Sequence, residues 1–278
     1  MRILDTHLHL VYPDRLRYPW LAGAPALDRP WTLEAYFAEA RPLGIAAALH
    51  MEVDVAEPDI EAETAFVTGL PGIAGAIAAC RPERPDFAAQ IGRIVAAGGG
   101  RVRGLRRILH QVPDDVSLTE LFPANLRLLA AHGLTFDLCL RADQLHLGVR
   151  LAERVPEVTF ILDHCGNPDI NGEGPDPWRA RLRGIAALPN VVGKVSGLVN
   201  HCDPGWTAQT LRPYVEHMID SFGWDRLVWG SDHPVATTTG GTLTGWVEAA
   251  REIVHTATAD EQARLFHRNA ERIYGVAG

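Results

Sequence analysis

No dense basic tract, no paired-cysteine spacing and no long apolar run occurs in this chain, and each absence removes a class of function. The 26 Lys and Arg are scattered among 34 Asp and Glu, leaving a net charge of −8. That balance argues against nucleic acid or an anionic membrane as the main partner. No apolar stretch is long enough to span a bilayer. Cys80, Cys139, Cys165 and Cys202 stand far apart without CxxC spacing, so neither a disulfide framework nor a structural zinc site is expected. Cys165 and Cys202 have no base at fixed spacing, which argues against a nucleophilic cysteine. A GxSxG elbow, a Walker loop and a dinucleotide fingerprint are all missing. Charged and polar residues arrive at Arg2, Asp5 and His7, unlike a signal peptide. The expectation is a soluble cytoplasmic protein acting on a small molecule, with no nucleic acid and no membrane as partner and a homo-oligomer left open.

What is present is a regular alternation. A chain of 278 residues that is 47% hydrophobic can bury one large core, and no linker or low-complexity segment divides 1–278 into two domains. Short apolar runs predict strands over Arg2–His9, Ile45–Val53, Ile73–Ala79, Val102–Leu109, Thr135–Leu140, Thr159–Asp163, Val191–Ser196 and Leu227–Gly230. Amphipathic segments predict helices over Leu33–Arg41, Glu57–Gly69, Phe87–Ala97, Ala124–Ala131, Gln144–Arg154, Trp178–Ala187 and Thr210–Phe222, with Leu243–His255 and Asp260–Tyr274 closing the chain. Eight such units imply an α/β fold, the (β/α)8 TIM barrel, with its site at the C-terminal ends of the strands. The segment Val11–Thr32, carrying Tyr18-Pro19-Trp20 and Trp31, is expected to form a lid or rim beside the first strand.

Strand ends then nominate chemistry, because alternate residues share a face. In the first strand Ile3, Asp5, His7 and His9 fall together, and an HxH pair suits either a divalent metal or proton transfer. In the second, His50 and Glu52 share a face near the end and are candidate rim contacts. The fourth turns Gly104, Arg106, Ile108 and His110 inward. An interior arginine needs a carboxylate, and an Arg106–Asp137 ion pair is the expected solution. The fifth offers Asp137 and Cys139, and the sixth offers His164 with Asp163 facing outward as a loop brace. The seventh brings in Lys194 and Ser196, with Lys194 pairing to Asp5, Asp137 or substrate. In RLVWGSDHP, Val228, Gly230 and Asp232 share a face, and the small residue beneath the acid leaves room for a ligand. Trp20, Trp31, Trp178 and Trp206 are read as loop residues able to stack on a sugar.

Taken in order, DTHLHL, HMEVD, RGLRRILHQ, LDHCGNP, GKVSGL and WGSDHP run nearly the full length of the chain. This series resembles the amidohydrolase superfamily, and within it the metal-independent branch of sugar-lactone and dicarboxylate-lactone hydrolases. The resemblance implies lactone opening at the strand ends. By motif it assigns the strand-one pair to His7 and His9, the strand-six histidine to His164, the strand-eight aspartate to Asp232, and the second arginine of RG-x-R to Arg106. Dinuclear members are expected to carry a histidine ending strand five. Cys139 stands near that place and Arg106 on strand four, which argues against two metals. No metal is expected to be required, although His7, His9 and Asp232 could hold one zinc or manganese.

On that reading Asp232 is the general base on water. His7, His9, His164 or Arg106 stabilise the oxyanion, and Lys194, His50, Glu52, His110 and Trp20 complete the substrate contacts. An aldonolactone is the favoured substrate. The alternatives are a dicarboxylate lactone, a zinc-dependent decarboxylation, or a barrel that binds a sugar acid without turning it over.

Overall fold

In the computed structural model, which describes residues 1–172 and 175–276, eight parallel strands stand in sequence order around a barrel. They are β1 (Ile3–Leu8), β2 (Ile45–Met51), β3 (Ile73–Ala79), β4 (Val102–Ile108), β5 (Thr135–Cys139), β6 (Phe160–Leu162), β7 (Val191–Val195) and β8 (Leu227–Trp229). Closure between β8 and β1 comes from Thr6 Oγ1 donating to the Trp229 carbonyl and from backbone bonds of His7 and His9 with Asp232 and His233.

The helices of the outer ring are α1 (Leu33–Ala40), α2 (Ile60–Thr68), α3 (Phe87–Ala97), α4 (Asp115–Leu118), α5 (Leu121–Leu126) and α6 (Leu128–His132). They continue as α7 (Leu145–Arg154), α8 (Asp176–Ala186), α9 (Ala208–Phe222), α10 (Leu243–Ile253), α11 (Ala259–Ala263) and α12 (Asn269–Tyr274). Two expected helices are broken. Ala124–Ala131 divides between α5 and α6, and Asp260–Tyr274 is interrupted by a π turn over Arg264–Arg268.

Two separate apolar layers follow from strand alternation. Outward residues such as Leu105, Phe136, Leu138 and Leu162 pack under the helices. Inward residues Leu4, Leu49, Met51, Ile77, Ile161, Val192 and Val228 fill the lower barrel, and Ala270, Tyr274 and Val276 of the C-terminal segment plug its base. The lower barrel is therefore filled mainly by apolar side chains, and among the described residues the buried charged groups of its interior gather at the upper end.

The segment between β1 and α1 does form a rim. Its ends pair through Val11 and Trp31, and the Trp20 indole donates to the Val53 carbonyl. Trp178 is not a loop residue: it lies within α8, 2% exposed, with its indole on the Cys165 carbonyl.

Candidate active site

Above the apolar layer, the ends of β1, β4, β6 and β8 bring His7, His9, Arg106, His164 and Asp232 together. A cavity of about 330 Å³ opens over them, walled by Trp20, Leu27, Ile108, His110, Cys139, Asn167, Asn200 and His201 as well. That volume is near the lower end of small-molecule sites, about 300–1,000 Å³.

Asp232 lies at the centre. Its Oδ1 is 3.3 Å from His9 Nε2 and 3.5 Å from His7 Nε2, its Oδ2 is 3.9 Å from His164 Nδ1, and the Asn200 amide donates to Oδ2. Burial pushes this carboxyl up, but His164, His9 and His7 outweigh burial and hold it well below the usual carboxylate range. It is ionised at neutral pH. Burial lowers His164 to about 4 and His7 well below its ordinary value, so both rings are neutral there.

Backbone geometry aims these groups. Asp54, His164, Asn167 and Asp232 all line the cavity and all have φ between 46° and 56°, a left-handed region that non-glycine residues rarely adopt. Strain of this kind, about 1–3 kcal/mol per residue, persists only where surrounding contacts enforce it. Gly230 serves the same geometry, because a Cβ there would lie 2.6 Å from the Cβ of His7. The room above Gly230 is thus taken by His7, not by a ligand.

Several expectations need correction. Asp163 points into the barrel: strand alternation sends Ile161 and Asp163 inward, and His164 reaches the cavity through its left-handed turn after β6 ends. Arg106 does not pair with Asp137. Its Nε donates to Glu52 Oε1 at 2.6 Å and its Nη2 to the Glu52 carbonyl at 2.9 Å. Asp137 instead takes Lys194 Nζ at 2.5 Å, and Asp163 takes the same ammonium at 2.8 Å. Lys194, 0% exposed, lies below the cavity, beyond reach of a substrate.

Asp5 does not share the face of His7 and His9. A register shift between Asp5 and Leu8 turns it outward, where Tyr36 and the Ser231 amide donate to it. His50 also faces outward, 3.2 Å from Glu63 of α2, while Leu49 and Met51 take the interior positions. Glu52 turns in because β2 has ended at Met51, and it reaches the site through Arg106.

His110 and Trp20 do line the cavity, with His110 Nδ1 3.3 Å from Cys139 Sγ. Asn200 and His201, in the turn after β7, were not anticipated. The polar cluster Asn200-His201-Cys202-Asp203 following GKVSGL was the available signal.

The donor set also fits a metal. His9 Nδ1 faces the Met51 carbonyl at 3.1 Å, an acceptor, so Nδ1 donates there and Nε2 is the nitrogen left to face the site. That nitrogen faces His7 Nε2, 3.2 Å away, and Asp232 Oδ1. Three electron-rich atoms converging in this way, with a carbonyl and a carboxylate (Asp163, 3.5 Å) behind the two rings, match a mononuclear site with its supporting partners. The expectation that no metal is required therefore meets a donor set suited to zinc or manganese.

Comparison with known proteins finds relatives along nearly the whole chain. The chain is 32% identical to an L-fucono-1,5-lactonase of Burkholderia multivorans over 249 residues, covering 84% of this chain and 82% of that protein. A second L-fucono-1,5-lactonase, from Burkholderia ambifaria, is 30% identical over 225 residues, covering 78% and 74%. A crystal structure of a Burkholderia multivorans amidohydrolase with bound zinc superposes with a TM-score of 0.89 at 26% identity over 100% of both chains. Residues 4–276, nearly the whole barrel with every strand end described above, match the Amidohydrolase family. On its fold, its motif order and this match, the chain belongs to the amidohydrolase family.

Proposed function

We propose that the chain hydrolyses a small neutral lactone, a sugar aldonolactone, to its hydroxy acid. The observation that carries this reading is Asp232, an ionised carboxylate at the floor of a small cavity and ringed by three imidazoles. The two L-fucono-1,5-lactonases among its relatives support the same reaction class.

Asp232 takes a proton from water as the oxygen attacks the lactone carbonyl. The carbonyl electrons move onto oxygen, where Arg106 and the neutral His164 ring, which both line the cavity, oppose the charge. Collapse breaks the bond to the ring oxygen, and the proton held by Asp232 passes to that leaving alkoxide. A carboxylate held this low is fully ionised but weakly basic, so its share belongs at the lower end of the usual 10²–10⁴-fold, about 10²-fold. The oxyanion donors carry the remainder. His7, His9 and Asp232 would hold one zinc or manganese; bound there, it would supply Lewis-acid polarisation.

Preference for a neutral substrate rests on charge. Among the described residues Arg106 is the only Lys or Arg lining the cavity, and Glu52 occupies two of its guanidinium donors. A dicarboxylate would find too few cations. Trp20, Asn167, Asn200, His110 and His201 instead suit hydroxyl groups and an apolar ring face.

A pH-indicator screen of aldonolactones and carboxylated lactones, with and without chelator, tests the reading. Turnover on neutral lactones, reduced at least about 100-fold in kcat by Asp232→Asn, is the expected result. No turnover on any lactone, or an undiminished variant, would overturn it. The three-donor set also favours a metal-dependent decarboxylation, which would appear instead as carbon dioxide release abolished by the chelator.

A further inference from the structure

Among the described residues, two sets of side chains in the upper barrel bring ligand atoms close enough to hold a cation, and they share one residue. The outer set is His7, His9 and Asp232; the inner set is His7, Asp163 and His164, running from His164 at the cavity wall to the fully buried Asp163. The inner set already has a cation beside it. Lys194 Nζ stands 2.8 Å from Asp163 Oδ1, 2.5 Å from Asp137 Oδ1 and 3.4 Å from His7 Nδ1. An ammonium has three N–H donors, and two of them go to these carboxylates, while His7 Nδ1 lies beside it.

We infer that the Lys194 ammonium is the built-in cation of the inner set, so that the barrel has room for a divalent metal at the outer set alone. Three observations bear on this. Lys194 is 0% exposed and sits on β7 with no access to the cavity, so no role in touching substrate explains its burial. A buried ammonium is tolerated only when paired and fully hydrogen-bonded, and here both carboxylates within reach turn to it. A metal at the inner set would have to ligate Asp163, whose Oδ1 Lys194 holds and whose Oδ2 faces Arg106 Nη1 at 3.5 Å, bringing positive charges within a few ångströms of one another in a dry interior. Like charges this close repel strongly away from bulk water, and a divalent ion doubles the repulsion between two unit charges.

His7 is split by this arrangement. Its Nδ1 edge faces the Lys194–Asp163 pair and its Nε2 edge faces the outer set, so one ring joins a fixed charge to an exchangeable one. Removing the ammonium should therefore convert the inner set into a second metal site, rather than merely weaken the first.

The test is manganese stoichiometry by electron paramagnetic resonance, with thermal unfolding alongside. It compares wild type, Lys194→Ala and the double variant Lys194→Ala/Asp137→Asn, which removes one carboxylate together with the cation. We expect each variant to bind one more equivalent of Mn²⁺ than wild type, with a Tm that rises on adding Mn²⁺ or methylammonium. Wild type should show no such rise with methylammonium. Two equivalents in wild type would overturn the inference. So would a folded variant that gains none, or failure of both variants to recover structure with either cation. The readout is metal content, not turnover, so it stands or falls separately from the lactonase reading.

Discussion

The two ends of this barrel use the same eight strands to opposite purposes. Below, Leu49, Ile77, Ile161, Val192 and Val228 meet at the axis with Tyr274 and Val276 pressed into the base. Above, toward the C-terminal ends of the strands, the axis holds Glu52, Arg106, Asp137, Asp163, Lys194 and Asp232, all 4% exposed or less. Apolar groups stabilise by leaving water and need no particular partner. Buried charges stabilise nothing unless each has its opposite in reach. The lower end can thus tolerate exchange of one aliphatic for another, whereas at the upper end removing one member of a pair leaves its partner's buried charge without an opposite. Strain is divided in the same way, because the left-handed residues Asp54, His164, Asn167 and Asp232 all belong to the upper end.

The contrast can be broken first at Arg106. Arg106→Ala strands Glu52, whose low pKa depends on outweighing its own burial with that guanidinium. A loss of about 3–5 kcal/mol in urea unfolding is expected, together with loss of turnover. The matching change below, Ile161→Ala, should cost about 2–5 kcal/mol while leaving kcat of the folded enzyme intact. A large fall in kcat from that variant would show that the two ends are not independent.

Acid should separate the ends without mutation. His164 and His233 are lowered to about 4 by burial and Asp232 is held below its ordinary value. In the unfolded chain the histidines bind protons from about pH 6.5 downward, so between pH 6.5 and 4 the unfolded state takes up more protons than the native state. Stability falls as pH falls through that window, and the Asp232 contribution is lost only at still lower pH. Urea midpoints at pH 7 and pH 5 measure it, and equal midpoints would contradict the low histidine values. The smallest effect is expected outside the barrel, at His50. His50→Ala leaves one hydrogen bond of Glu63 unmade, about 1–3 kcal/mol, with kcat unchanged. A loss of turnover there would return His50 to the site.

How far the sequence could be read depended on where strands stay regular. In β4, β5 and β7 the alternation holds to the end, and Arg106, Cys139, Lys194 and Ser196 face inward as expected. It fails where regular backbone stops: at the β1 register shift that separates Asp5 from His7, at the end of β2 before Glu52, and at the left-handed turn carrying His164. Ion-pair partners were harder still. Arg106 and Asp137 are neighbours in register, yet each chose a different opposite charge.

The sequence by itself determined the order of eight strands, the barrel, the motif series and the residues from which the site is made. These are local properties: apolar period, turn chemistry, and the identity of residues at strand ends. Only the tertiary structure decided which carboxylate meets which cation, that Lys194 is sealed beneath the cavity, and that Asn200 and His201 join the wall. Those outcomes depend on distances between strands far apart in the chain, and in a buried interior a difference of an ångström or two selects the partner.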